Sequence, residues 1–356
     1  NKSESHSMNI VGPSLIAATA AFPAVQLAGM TDISTAVPLF SQYFGMVALI
    51  VMAWTQLLSI KIKGIETVFG GLDQIYALNK WAGISLMIAM LLHSSIDADL
   101  PGVLGGPLSG LAEGLGEVSF YGLLLLCAIS VATFVPYRLW KWTHKAMGAF
   151  FALGALHFVW IAKPFTMIDP AGLYTGALCV AGLVAYAWML VPDRLKPFRR
   201  YQISSIDQTG GAAAVTFEPI GLALTPTPGQ FGIFQFTGSQ NAEPHPFTFS
   251  RIEDDGLLRA TVKPLGDFTR DIEQLLEVSQ SVRVQGPFGR FRPAPRKRQA
   301  WIAGGIGIAP FLRWAHALPA DASEVDLFYC VKSRARARTL KRSSSWRTRN
   351  RTSTCT

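Results

Sequence analysis

Three of the six histidines in this 356-residue chain, His93, His144 and His157, lie in or beside long apolar stretches. Ionisable side chains are costly inside a bilayer, so each is a functional candidate. A neutral imidazole is a metal ligand, and two imidazoles from facing helices can grip a haem iron on both sides. A lone membrane histidine is more often a hydrogen-bonding packing residue; three on alternate stretches, at two depths, favour haem ligation. Spacing alone does not decide between these. His144 and His157 are thirteen residues apart, about 20 Å along a helix at ~1.5 Å per residue, which suits two stacked haems. The interval is about 3.6 turns, so a local bulge or unequal side-chain reach is needed to aim both rings the same way.

A second group of residues comes as four short motifs in the C-terminal half. They are His245-Pro246-Phe247-Thr248, Gly266-Asp267-Phe268-Thr269, Gly286-Pro287-Phe288-Gly289 and Gly304-Gly305-Ile306-Gly307-Ile308-Ala309-Pro310. Each alone reads as a strand entry or a turn. The last follows the apolar run Gln299–Ala303 and opens a helical pattern, an arrangement that lets backbone approach a pyrophosphate at a helix N-terminus.

The elements that must position these groups differ between the two halves. Half of the chain is hydrophobic and only 15% is charged, with the apolarity concentrated before Val191. Six stretches there approach bilayer-spanning length, at 9–29, 39–60, 80–97, 118–136, 145–163 and 171–191. Pro13 and Pro23 make the first the weakest. Lys61, Lys63 and Lys80 follow the second; Arg138, Lys141 and Lys145 follow the fourth; Arg194, Lys196, Arg199 and Arg200 follow the sixth. The opposite loops carry Asp32, then Asp97, Asp99, Glu113 and Glu117, then Lys163 and Asp169. The positive-inside rule then predicts six spans with both termini in the cytoplasm. An integral protein of a bacterial inner membrane is expected. After Pro192, alternating runs such as Ala212–Pro219 and Ser281–Gly289 predict an antiparallel barrel.

The net charge of +9 is local. Lys332 to Thr356 holds nine Lys or Arg and no acid, so 32 − 9 = 23 basic residues remain against 23 acidic. The body is neutral, so the basic charge points to no partner, and no nucleic-acid partner is expected. The tail lacks apolar periodicity, and its Arg, Ser and Thr bias is expected of translation out of the native frame near Arg334. A basic arm on anionic lipid is the competing reading. The four cysteines, Cys127, Cys179, Cys330 and Cys355, show no metal spacing and read as packing residues.

The segments 70–95 and 138–160 resemble the third and fifth helices of the ferric reductase and NADPH oxidase superfamily, and the four later motifs resemble its ferredoxin-reductase-type FAD module. The resemblance covers about residues 37 to 333. It implies a six-helix all-α haem domain at 1–195, a β-barrel FAD domain at 196–296, and the start of an α/β NAD(P)-binding domain at 297–333, truncated before the 334–356 tail. In that family the two helices each supply two haem histidines. By position His93 and His157 match the outer pair and His144 half of the inner pair, whose other half is replaced here by Asn79. One or two b-type haems are therefore expected, with the inner site empty or held by His144 alone.

For the flavin module the resemblance implies Phe247 packed on the isoalloxazine and Thr248 near its reactive nitrogen. His245, beside Pro246, lies with Lys263 and Thr269 at the FAD phosphates, where Gly266, next to Asp267, permits close approach. Gly286 passes close to the flavin. Gly304, Gly305, Gly307 and Pro310 shape the NADH or NADPH site, and Ser333 and Arg334 lie near the adenosine ribose. The expected activity is transfer of electrons from NAD(P)H, through FAD and haem, to an outer acceptor. Acidic outer loops favour a ferric complex over dioxygen. The rivals are a haem-only quinol-linked subunit and an inactive truncated product.

Overall fold

The computed structural model describes residues 10–330 except 33, 61–62, 97, 132–133, 210–211, 238–243, 253–254, 264–268, 270–275, 294–296 and 318–323. The chain divides into two compact units, Asn1–Leu195 and Lys196–Thr356.

The first unit is helical: α1 Val11–Ala28, α2 Ala36–Ser59, the short α3 Lys63–Phe69, α4 Leu72–Ser95, α5 Ser109–Val131, α6 Tyr137–Trp160 and α7 Pro170–Leu190. The centre is α2, which packs on α1, α4, α6 and α7. Its residues Ala48, Leu49, Ile50, Val51, Met52 and Ala53 are all buried, as expected of a helix that is apolar all round. Close packing is set by small residues: a Cβ on Gly182 of α7 would stand 2.7 Å from the Cα of Ala53. Outward rows such as Tyr121 and Leu125 on α5, and Val180 and Val184 on α7, are apolar and exposed, the character of a face turned to lipid.

Five of these helices, α1, α2, α4, α5 and α7, are long and apolar enough to cross a membrane. The fifth predicted span is α6. Its 24 residues reach about 36 Å at ~1.5 Å each, enough for a bilayer, but Lys141, His144, Lys145 and His157 lower its apolarity. Three helices also begin earlier than their apolar stretches: α4 at Leu72, α5 at Ser109 and α6 at Tyr137. Lys80, Glu113 and Glu117, expected in loops, are therefore helical. Polar residues at a membrane interface end a hydropathy stretch without ending a helix. The proline-bearing first stretch forms one helix through Pro23, and α6 is continuous, with no bulge between His144 and His157.

The second unit begins with a closed antiparallel barrel in the order β1-β2-β5-β4-β3-β6. Its strands are β1 Arg199–Thr209, β2 Ala212–Pro219, β3 Phe231–Phe236, β4 His245–Ile252, β5 Leu258–Val262 and β6 Ser281–Phe288. In β5, Leu258, Ala260 and Val262 are buried while Arg259 and Thr261 are less so, the period of two that lines a barrel. Phe217, Phe234, Phe236 and Phe249 fill the interior. Closure of β6 on β1 leaves no edge strand.

After the barrel, β7 Arg298–Gly304 pairs in parallel with β8 Glu324–Cys330. Parallel neighbours need a crossover. Here it includes a 3-10 turn, Gly305–Ile308, and the helix α8, Ala309–Ala317. Trp301, Ile308, Phe311 and Trp314 form the core of this layer.

Candidate functional site

The histidines at the ends of α4 and α6 meet. The rings of His93 and His157 have centroids 6.3 Å apart, with planes crossing at 64°. Each ring is held by a backbone carbonyl from a third or fourth helix. His93 Nδ1 is 2.9 Å from Ser41 O on α2, and His157 Nδ1 is 2.8 Å from Ala112 O on α5. Donation through Nδ1 fixes the tautomer in which Nε2 carries the free lone pair, as in histidines that bind metals. Ser41, fully buried, is also within hydrogen-bond distance of the carbonyls of His93 (3.0 Å) and Ile96 (2.9 Å), which ties the end of α4 to α2.

The His157 ring needs space that only glycine leaves, and the His93 ring packs tightly against another glycine. A Cβ on Gly116 of α5 would stand 2.6 Å from His157 Nδ1, and one on Gly45 of α2 would stand 3.1 Å from the His93 ring. Two metal–imidazole bonds of about 2 Å in line, with two ring radii of about 1.1 Å, require centroids about 6 Å apart. The observed separation would allow the two imidazoles to hold a haem iron between them. Among the described residues no group of three or more His, Cys, Asp or Glu gathers as a cage for a bare ion.

The third histidine, His144, stacks on Trp140 one turn before it, with centroids 4.9 Å apart and planes 12° apart. Its Nδ1 is buried and has no hydrogen-bond partner among the described residues; the same is true of Asn79 Oδ1 on α4. Among the described residues no carbonyl meets His144 Nδ1 as carbonyls meet His93 and His157.

In the second unit, β3 lies between the two strands that carry the barrel motifs. Phe231 is the register partner of Thr248 on β4 and of Phe288 on β6. His245, Phe247 and Thr248 are half-buried and Pro246 is exposed. Phe247 packs against Phe234 and Phe236 on its inner side, and the His245 and Phe247 rings lie 6.3 Å apart. Gly286 has φ +133°, a conformation that L side chains rarely adopt.

Lys263 follows the last residue of β5, and its Nζ is 3.8 Å from where a Cβ on Gly305 would stand. Gly304 ends β7, Gly305 (φ +50°) and Gly307 lie in the turn, and Pro310 is the second residue of α8. A lysine amine, glycine backbone and a helix N-terminus thus converge, as anion binding requires. Thr269 is described; Gly266, Asp267, Ser333, Arg334 and the basic tail lie outside the described residues.

Residues 44–155 match the family model of the ferric reductase like transmembrane component. The match lies within the first unit, Asn1–Leu195. The matched segment contains Asn79, His93 and His144 and stops two residues before His157. A comparison with curated proteins finds no match.

Solved structures similar to the ferric reductase-like chain include three reductase domains. The flavohem-like FAD/NAD binding domain of nitric oxide dioxygenase from Vibrio cholerae O1 biovar El Tor has 22% identity, covers 41% of this chain and 68% of that one, and has TM-score 0.37. The ferredoxin reductase in carbazole 1,9a-dioxygenase has 20% identity, 39% and 44% coverage and TM-score 0.34. Phthalate dioxygenase reductase has 20% identity, 38% and 44% coverage and TM-score 0.33. The chain spans less than half the length of the last two.

The groups that hold the rings of this ferric reductase-like domain are backbone carbonyls and missing Cβ atoms. Ser41 and Gly45 lie in an ordinary apolar run, and Ala112 and Gly116 lie beside Glu113 and Glu117 in an expected loop, so residue type gave no sign of them. Trp140, four residues before His144 on a helix, was the one neighbour that spacing could have found.

Proposed function

We propose that this ferric reductase-like chain is a transmembrane oxidoreductase. It takes electrons from NADH or NADPH on the cytosolic side and delivers them at the outer face, to a ferric complex in preference to dioxygen. Six helices cross the membrane, α6 among them, with both termini cytoplasmic. The domains are the haem domain at 1–195, the FAD barrel at 196–296 and the opening of the nucleotide domain at 297–333.

The observation that carries this reading is the His93–His157 pair. These residues hold a b-type haem through Nε2, oriented by the carbonyls of Ser41 and Ala112. FAD is held on the barrel. Phe247 and Thr248 lie against its ring system, Gly286 lets the chain pass close, and His245, Lys263 and Thr269, with the Gly266-Asp267 segment, face its phosphates. The turn at Gly304, Gly305 and Gly307, closed by Pro310, takes the nicotinamide nucleotide. When bound, the flavin supplies conversion of a two-electron hydride donor into the single electrons a haem accepts.

The chain's own residues set direction and selectivity. The backbone and Lys263 near Gly305 neutralise phosphate charge. The apolar flanks of α4 and α6 keep water from the histidine pair. Asp99, Glu113 and Glu117, all exposed, give the outer rim a negative charge that favours cationic metal complexes.

Purified protein tests this directly. It should carry both flavin and haem, and reduce a ferric chelate with NADPH or NADH while releasing little superoxide. Absence of either group would remove the reading, and superoxide as the main product would remove the preference for ferric ion.

A further inference from the structure

The last turn of α6, which carries His157, is held by a charged side chain from outside the helix. Lys163 follows the helix end, Trp160, by three residues and folds back over it. Its Nζ donates to the carbonyls of Phe158 at 2.7 Å, Val159 at 3.1 Å and Ile161 at 3.3 Å. It also stands 5.2 Å from the centroid of the Phe158 ring, which is buried and lies 6.4 Å from the ring of Phe165. The carbonyl of His157 itself accepts from the Ile161 N–H at 2.8 Å. The carbonyls of this turn thus have partners, and the ammonium sits at the negative end of the helix dipole.

Three observations set Lys163 apart from an ordinary helix cap. Three carbonyls take three N–H donors, which only the protonated amine has, so the geometry calls for a full positive charge. The side chain is half-buried, where a charge is screened less than in water. Lys163 is also the one cation among the charged residues that the proposed topology puts on the outer side, where Lys and Arg are disfavoured. Its charge reaches the ligand pair: Lys163 and, with opposite sign, Glu113 act on the charge of the His157 ring. Glu113 follows Ala112, whose carbonyl meets that ring.

We propose that Lys163 is a positioning residue for the His93–His157 pair: it locks the turn that carries His157 and raises the reduction potential of the haem held there, against a smaller opposing pull from Glu113. A fixed positive charge favours the form of an iron centre with one positive charge fewer, which is the reduced form. Lys163 acts from behind the ligand, without touching the iron. A raised potential makes the pair a better electron receiver and a weaker electron donor. Dioxygen is a poor one-electron oxidant, so Lys163 disfavours superoxide release and leaves ferric complexes as acceptors. The inference rests on the proposed haem reading and adds to it a residue that selects the acceptor.

The test is a spectroscopic redox titration of the purified protein in detergent, with haem counted per chain. Lys163→Gln keeps an N–H donor for the carbonyls and removes the charge. It should retain the low-spin haem and lower its one-electron reduction equilibrium constant about five-fold, a shift of about 40 mV at 59 mV per tenfold. Lys163→Arg should keep the unaltered potential, and Glu113→Gln should raise it. An unchanged potential in Lys163→Gln, a fall as large in Lys163→Arg, or a fall in Glu113→Gln would overturn the inference. Loss of haem from Lys163→Gln would also overturn it, since the residue would then be structural alone. Absence of a low-spin haem from the unaltered protein would instead defeat the proposed function itself.

Discussion

His93 and His157 approach each other at the ends of α4 and α6 with ring centroids 6.3 Å apart, each anchored through Nδ1 to a carbonyl of a different helix. Four helices thus contribute to one pair of rings. α4 and α6 supply the imidazoles; α2 and α5 supply the carbonyls and the glycines that make room.

The two glycines are not equivalent, and their substitution should show it. A Cβ on Gly116 would enter the His157 ring at 2.6 Å, while one on Gly45 would meet the His93 ring at 3.1 Å. Gly116→Ala is expected to displace its histidine, costing about 1–3 kcal/mol in packing and lowering haem content. Gly45→Ala should be tolerated with a smaller loss. Equal haem content in the two variants, measured per chain after purification, would contradict the seating described.

On the barrel, Gly286 and Thr248 separate binding from chemistry. Gly286→Val places a branched residue at φ +133°, a strain of about 1–3 kcal/mol, and should lower FAD content several-fold. Thr248→Ala should keep the flavin and slow its reduction or reoxidation several-fold. Flavin retention by absorbance and stopped-flow reduction by NADPH distinguish the two. Unchanged content and unchanged rates would remove the flavin from this face.

The barrel also contains a stability test that no cofactor enters. Leu224 N–H donates to the hydroxyl of fully buried Tyr201 at 2.7 Å. Tyr201→Phe leaves that N–H unsatisfied and should cost about 1–3 kcal/mol. Thermal melting followed by flavin fluorescence should show a lower midpoint. An unchanged midpoint would mean that water or another group replaces the hydroxyl.

How much of this was legible in the sequence depends on what each signal measures. The barrel strands Ala212–Pro219 and Ser281–Phe288 were readable to within a residue, because they are short apolar-bearing runs bounded by Gly and Pro, whereas β1, Arg199–Thr209, was not read. The starts of α4, α5 and α6 were missed by eight or nine residues, because hydropathy reports lipid contact and not helicity. Glu113 and Glu117 are helical for that reason. At the histidines, residue type pointed to the imidazoles but could not indicate Ser41 O or Ala112 O, since every residue has a carbonyl. The orphaned atoms of Asn79 and His144 depend on what fails to surround them, which no local pattern encodes.

Orientation can be tested apart from any cofactor. With the four native cysteines replaced first, Ser109→Cys at the start of α5 should react with an impermeant thiol reagent on intact cells. Ser281→Cys at the start of β6 should react only after lysis. Labelling of position 281 from outside would reverse the electron path.

The central claim is that His93 and His157 together hold one haem. Electron paramagnetic resonance of the oxidised, purified protein reads it most directly. The account predicts a low-spin signal of two axial imidazoles, lost in both His93→Ala and His157→Ala. A low-spin bis-imidazole signal that survives either substitution would contradict it.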